Sequence, residues 1–79
     1  MVQIGDVIRF VDPLSKEHNA LITAVHENNE FPSINLVYVS DDENAHDQYG
    51  RQLAERQTSI VHESSQGARG FFWRKVESP

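Results

Sequence analysis

Every apolar run in this chain is short, and each is cut off by residues that turn a backbone. Val7-Ile8-Arg9-Phe10-Val11 is opened by Gly5-Asp6 and stopped by Asp12-Pro13, where proline removes a backbone donor and fixes its own φ. The polar stretch Ser15 to Asn19 reads as a continuation of that turn. Ala20-Leu21-Ile22-Thr23-Ala24-Val25-His26 follows, with alanine and leucine that suit a helix, but with β-branched residues and a length that suit a strand. Glu27-Asn28-Asn29-Glu30 supplies turn chemistry. Ile34 to Val39 then alternates, with Ile34, Leu36 and Tyr38 on one face and Asn35, Val37 and Val39 on the other, so that both faces are expected to be partly covered. Thr58 to His62 and Phe71 to Val76 read as the last two strands, separated by a polar hairpin or loop over residues 63–70.

The segment from Ser40 to Gln57 admits two readings. Ser40 or Asp41 has the chemistry of a helix N-cap, which would start a short helix. Gly50 favours a turn at Tyr49-Gly50-Arg51-Gln52 inside a long polar loop, because glycine in a helix interior costs about 1 kcal/mol relative to alanine. Five short strands with turns between them predict a mainly β chain, a small five-stranded SH3-like or OB-like barrel with one long polar loop or short helix. With 79 residues, the chain is expected to form a single domain over residues 1–79. The expected core draws on Val7, Ile22, Leu36, Ile60 and Trp73, one from each extended segment.

Composition narrows the function classes. There is no cysteine, which removes disulfides and thiolate metal sites and fits a reducing compartment. A small core without such staples gives association with other chains more weight. The N-terminus lacks the basic and apolar regions of a signal peptide, and no apolar run approaches the roughly 20 residues that cross a bilayer. A cytoplasmic protein with no membrane partner is therefore expected. Twelve acidic residues against seven basic ones give a formal charge of -5, which argues against nucleic acid as the partner.

The elements Gly5-Asp6-Val7, Ala20 to Val25, Ile34-Asn35-Leu36, Tyr49-Gly50-Arg51-Gln52, Thr58 to His62 and Gly70-Phe71-Phe72-Trp73 together resemble small proteins of tailed bacteriophages with an SH3-like β-barrel. The resemblance implies a phage or prophage origin, residence in the host bacterial cytoplasm or in the virion, and a role either as a virion accessory or in interference with the host. It implies no catalytic residue.

Histidines 18, 26, 46 and 62 lack the tight spacing of a zinc motif and read as ordinary surface residues, with His26 and His62 the pair that strand pairing would have to bring together. Asp41, Asp42, Glu43 and Asp47 lack the order of a calcium loop and read as a solvated acidic loop. Ser59, His62 and Asp47 can be assembled on paper as nucleophile, base and orienter, without a nucleophile elbow or oxyanion turn beside them. A non-enzymatic protein without cofactor or metal is the expectation.

The densest constellation is Tyr49, Arg51, Gln52, Arg56, Ser59, His62, Arg69, Phe72 and Trp73. Arginine forks bind carboxylates and phosphates, and aromatic faces stack on planar groups. The same residues are also read structurally, with Trp73 and one phenylalanine in the core and Arg51 and Arg56 paired with Asp47 and Glu55. Two functions follow: an interaction module, self-associating or bound to another phage or host protein, or a module that captures a nucleotide-like host signal.

Overall fold

A computed structural model describes residues 1–65 and 70–76. It contains five strands, β1 (Val7–Val11), β2 (Glu17–Val25), β3 (Ile34–Val39), β4 (Ala54–Ile60) and β5 (Phe72–Lys75). They form one antiparallel sheet in the order β4-β3-β2-β1-β5. Thus β1 to β4 run as a meander and β5 returns to lie beside β1. The protein is mainly β, as the short β-branched runs require. The sheet is compatible with a small barrel-like fold but is not closed. None of the described residues forms a helix long and apolar enough to cross a membrane.

Two strands depart from the sequence expectation by more than one residue at an end, and both departures come from hydrogen bonds that propensity does not register. Strand β2 begins at Glu17 rather than Ala20. Asp12 tightens the preceding turn, because its Oδ1 accepts the backbone N–H groups of Leu14 and Lys16, each at 2.9 Å. Ser15 adopts φ 65 to let the chain reverse. Pairing can then start at once, with Val11 opposite Glu17 and Phe10 opposite His18. Strand β4 covers Ala54–Ile60 rather than Thr58 to His62. Its polar first half is held by the ladder to β3, with Val37 opposite Arg56 and Val39 opposite Ala54. A strand at the sheet edge can carry such charged residues, which also discourage unwanted pairing.

The connection from Ser40 to Leu53 is an ordered excursion, and the short-helix alternative does not form there. Its ends are joined by Ser40 N–H to Leu53 O (2.9 Å), and Leu53 N–H bonds Ala45 O (2.9 Å). At its tip, Asp47 Oδ1 accepts from Tyr49 N–H (2.8 Å) and Arg51 N–H (3.0 Å), and Gly50 takes φ 80, a conformation glycine adopts without strain.

Two irregularities bend the sheet. The pairing shifts between Ile22 and Ala24 on β2, and again where Ile34 faces Ile60 but Leu36 faces Gln57. At the second shift Ser59 takes φ 54, and its N–H donates to Asn35 Oδ1 (3.0 Å). Extra residues of this kind increase local twist and bend the strand that carries them. The bend brings the residues after β4 against β5, where Trp73 N–H bonds Val61 O and Glu63 N–H bonds Trp73 O, each at 3.0 Å. This isolated parallel bridge between His62 and Trp73 ties the residues that follow β4 to β5 without closing the sheet.

The concave side holds the core: Ile8, Phe10, Ala20, Ile22, Ile34, Leu36, Tyr38, Ile60 and Trp73. Of the five residues expected there, four are buried. Val7 is the exception. It is 54% exposed because Ile8, one position on, takes the inward side of the pleat. Trp73 is fully buried, and its Nε1–H donates to Pro32 O at 2.9 Å, so the indole has no unsatisfied polar atom.

Candidate interaction surface

The constellation drawn from sequence divides between two ends of the sheet. Tyr49, Arg51 and Gln52 lie in the excursion between β3 and β4. Arg51 Nε donates to Asp47 Oδ2 at 2.8 Å, and its guanidinium carbon sits 5.1 Å from the Tyr49 ring centroid. The Asp47 carboxylate lies below its ordinary range, held first by Arg51 N–H, with burial opposing and Tyr49 N–H and the Arg51 side chain adding to the effect. Gln52 spends its amide on the loop itself, donating to Ser40 O (2.7 Å) and Asp42 O (2.8 Å). These three residues build the excursion.

His62 and Trp73 lie at the opposite end of β3, with Phe31. The Phe31 and His62 rings stack at 4.0 Å, and the His62 ring meets Trp73 edge-on at 4.7 Å. Trp73 therefore offers no face to a ligand, which corrects its assignment to a binding surface: the apolar centre takes the whole indole. Ser59 serves the bend in β4, and Phe72 is partly covered on the outer side opposite Val11. Arg69 falls outside the described residues. Arg56 is exposed on β4, and among the described residues it has no carboxylate within ion-pair distance, so its expected pairing with Glu55 does not form.

The histidines are not uniformly superficial. His18 is buried, its ring tilted against Tyr38 at 4.5 Å, with Nε2 donating to Asp12 Oδ2 at 2.8 Å. His26 Nε2 bonds Asn35 Oδ1 (2.7 Å), and His46 Nδ1 bonds Glu43 O (3.0 Å). Among the described residues no three His, Asp or Glu side chains are grouped to hold a metal. The paper triad is not assembled through its polar atoms either: His62 Nδ1 bonds Ser64, and Asp47 bonds Tyr49 and Arg51.

His62 carries a pH dependence. Burial pushes its imidazole below the ordinary value of 6.5, with Glu63 opposing and Lys75 assisting. Ser64 N–H donates to Nδ1 at 3.1 Å, a bond that protonation of Nδ1 displaces. The unfolded chain takes up this proton more readily than the native one, so the contribution is complete above pH 6.5 and is lost as pH falls through the lower native value. The urea midpoint is expected to fall between pH 7.5 and pH 5, and to fall less in His62→Phe, which keeps the stack on Phe31. Equal slopes for the two proteins would assign the acid sensitivity elsewhere.

A surface that the sequence reading left unassembled lies on the convex side of the sheet. Residues facing each other across an antiparallel ladder share a face. Val7 faces Leu21, Leu21 faces Val37, and Val37 faces Arg56, forming a row across four strands. In the adjacent row Arg74 faces Arg9, Arg9 faces Asn19, and Val39 faces Ala54. Val7, Leu21, Val37, Val39 and Ala54 line a shallow, almost wholly apolar groove of about 190 Å³. Leu21 is 46% exposed and Val39 63%. The signal for this face was present in the sequence as valines on the second side of β3 and a leucine between Ala20 and Ile22. No protein-family model, no curated protein and no solved structure matches this chain.

Proposed function

We propose that this protein is a non-enzymatic interaction module whose working surface is the convex face of its sheet. One observation carries the reading: Val7, Leu21 and Val37 stand side by side on neighbouring strands, Val7 and Leu21 exposed and Val37 half-buried, although the concave face already supplies a core. Contiguous apolar surface of this kind marks an interaction site, because leaving it in water has a cost that a partner removes. A role as an accessory protein of a bacteriophage, in the virion or in the host cytoplasm, fits such a module and is part of the proposal. So is its partner, a second copy of the chain or another phage or host protein.

Capture of a nucleotide-like signal has less support. Its arginines and aromatics are divided between the two ends of β3, Arg51 is already paired, and Trp73 is enclosed.

Site-directed photocrosslinking in the producing cells tests the reading. A photoreactive side chain at Leu21 or Val39 is expected to trap one recurrent polypeptide, and the same group at Asn28 in the β2–β3 turn is expected to trap none. Adducts from Asn28 alone, or none from either face position, would refute the convex-face assignment. Leu21→Glu should abolish the adduct formed from Val39 while shifting stability by no more than about 0.5 kcal/mol, as is usual for an exposed substitution.

A further inference from the structure

The charges on the convex face identify the chemistry of its partner, if the interaction reading above is right. Three of the seven basic residues, Arg9, Arg56 and Arg74, occupy this face, by their cross-strand partners Asn19, Val37 and Arg9. Glu17 is the one carboxylate that the five strands direct there. Glu55, on β4, faces Tyr38 on the other side and hydrogen-bonds its hydroxyl. Among the described residues the remaining acids lie in turns and loops. A chain of net charge -5 therefore presents a cationic, aliphatic sheet face.

Two of those cations have no carboxylate partner among the described residues. Arg74 is paired with Glu17 and lies 3.9 Å from Glu63. Arg9 stands directly opposite Arg74 in the β1–β5 ladder, an arrangement of like charges that destabilises a sheet. Among the described residues it has no carboxylate partner, only Asn19 Oδ1 at 2.6 Å. Arg56 has none either. The groove lies between them: Asn19 beside Arg9 and Val37 beside Arg56 both line it. Three strand spacings separate β1 from β4 and the two arginines stand in adjacent rows, two residues apart along the strands, which places them about 16 Å apart.

From this we infer that the convex face docks an acidic amphipathic polypeptide segment, with aliphatic side chains in the groove and carboxylates on Arg9 and Arg56. A second copy placed face to face would oppose the same arginines, which disfavours symmetric self-docking. The groove gives a nucleic acid little to stack on: Val7, Leu21, Val37, Val39 and Ala54 are aliphatic, the Tyr38 ring among its lining is buried against Phe10 and His18, and Phe72 lies beyond Arg9, opposite Val11. An anionic membrane would be repelled by the net charge and by the acidic loops.

The full chain, isotope-labelled for NMR, would be titrated with three probes: a 16-residue helical peptide with leucines on one face and flanking glutamates, its lysine counterpart, and phosphatidylserine vesicles. The acidic peptide is expected to bind saturably, to shift the amides of Leu21, Val37 and Val39, and to weaken as salt is raised. Arg9→Glu and Arg56→Glu are each expected to weaken it about tenfold or more, the scale of one charge-assisted contact. Equal or tighter binding of the lysine peptide, or an acidic complex indifferent to both arginine variants, overturns the acidic-partner inference. If Leu21→Glu still abolishes binding in that case, the interaction reading stands alone. Binding of the vesicles only would also overturn the inference and assign the face to lipid. A mass that rises with protein concentration without peptide, and is restored to monomer by Leu21→Glu, would instead assign the face to a second copy. No binding to any probe, with a strictly monomeric chain and no photocrosslink from Val39, would remove both readings.

Discussion

Replacing Trp73 with alanine is expected to remove a large share of the domain's stability and to lower its urea midpoint steeply. Truncating a buried tryptophan costs about 3–5 kcal/mol through lost burial and the cavity left behind. At roughly 0.05–0.15 kcal/mol per residue, a domain of this size has only about 4–12 kcal/mol in total. The indole has further structural duties. Its backbone forms both hydrogen bonds of the seam to Val61 and Glu63, its Nε1–H satisfies Pro32 O, and its ring supports His62 beneath Phe31. Trp73→Phe keeps a ring in place but orphans the Pro32 carbonyl, so it should fall between the alanine variant and the parent. Because Trp73 is the chain's one tryptophan, unfolding is best followed by far-ultraviolet circular dichroism in urea. Tyr49→Ala, at an exposed tip, serves as a control and should move the midpoint little. A Trp73→Ala midpoint equal to the parent's would mean that the core is organised around other residues.

The second large effect is expected at Asp12. This carboxylate closes the β1–β2 turn through Leu14 N–H and Lys16 N–H and satisfies the buried His18 ring through Oδ2. Asp12→Ala removes all three hydrogen bonds and leaves a buried imidazole donor without a partner, at about 2–3 kcal/mol, since one such orphan alone costs about 1–3 kcal/mol. Asp12→Asn retains an amide oxygen for the turn and should lose about half as much. The two variants also differ from the parent in acid. Burial works to raise the Asp12 carboxyl, but the bond from His18 and the two backbone N–H groups outweigh it and hold the group below its ordinary 3.8. Its contribution is thus present above pH 3.8 and is lost as pH falls through the lower native value, a window well below that of His62. Urea midpoints from pH 5 to pH 2 should fall more steeply for the parent than for Asp12→Ala. Parallel curves would show that the carboxylate is not coupled to folding.

Much of the strand content was legible in the residues. The Val7 to Val11 and Ile34 to Val39 strands match the sequence reading at both ends, because β-branched and aromatic residues bounded by Gly-Asp, Asp-Pro and Asn-Asn leave little choice. Gly50 also announced the turn in the long excursion, and the structural reading of Arg51 with Asp47 is realised. What escaped were segments held by partners distant in sequence. Glu55-Arg56-Gln57 has little strand propensity and is extended because β3 offers it a ladder. His18 reads as a loop residue, and is buried because Asp12 and Tyr38 receive it.

The site was less legible than the fold, for a related reason. Proximity in the chain put Tyr49, Arg51, Gln52, His62 and Trp73 into one imagined pocket, while β4 carries the chain from one end of the sheet to the other between them. Arg9, Val7 and Leu21, which have nothing in common along the sequence, became neighbours of Val37 and Arg56 through register alone. By itself the order of amino acids determined where the backbone extends and where it turns, because those preferences arise within a few bonds. Only the tertiary structure decided which side of each strand meets water, and so which charges and methyl groups stand together, because a one-residue change in register would exchange the two faces.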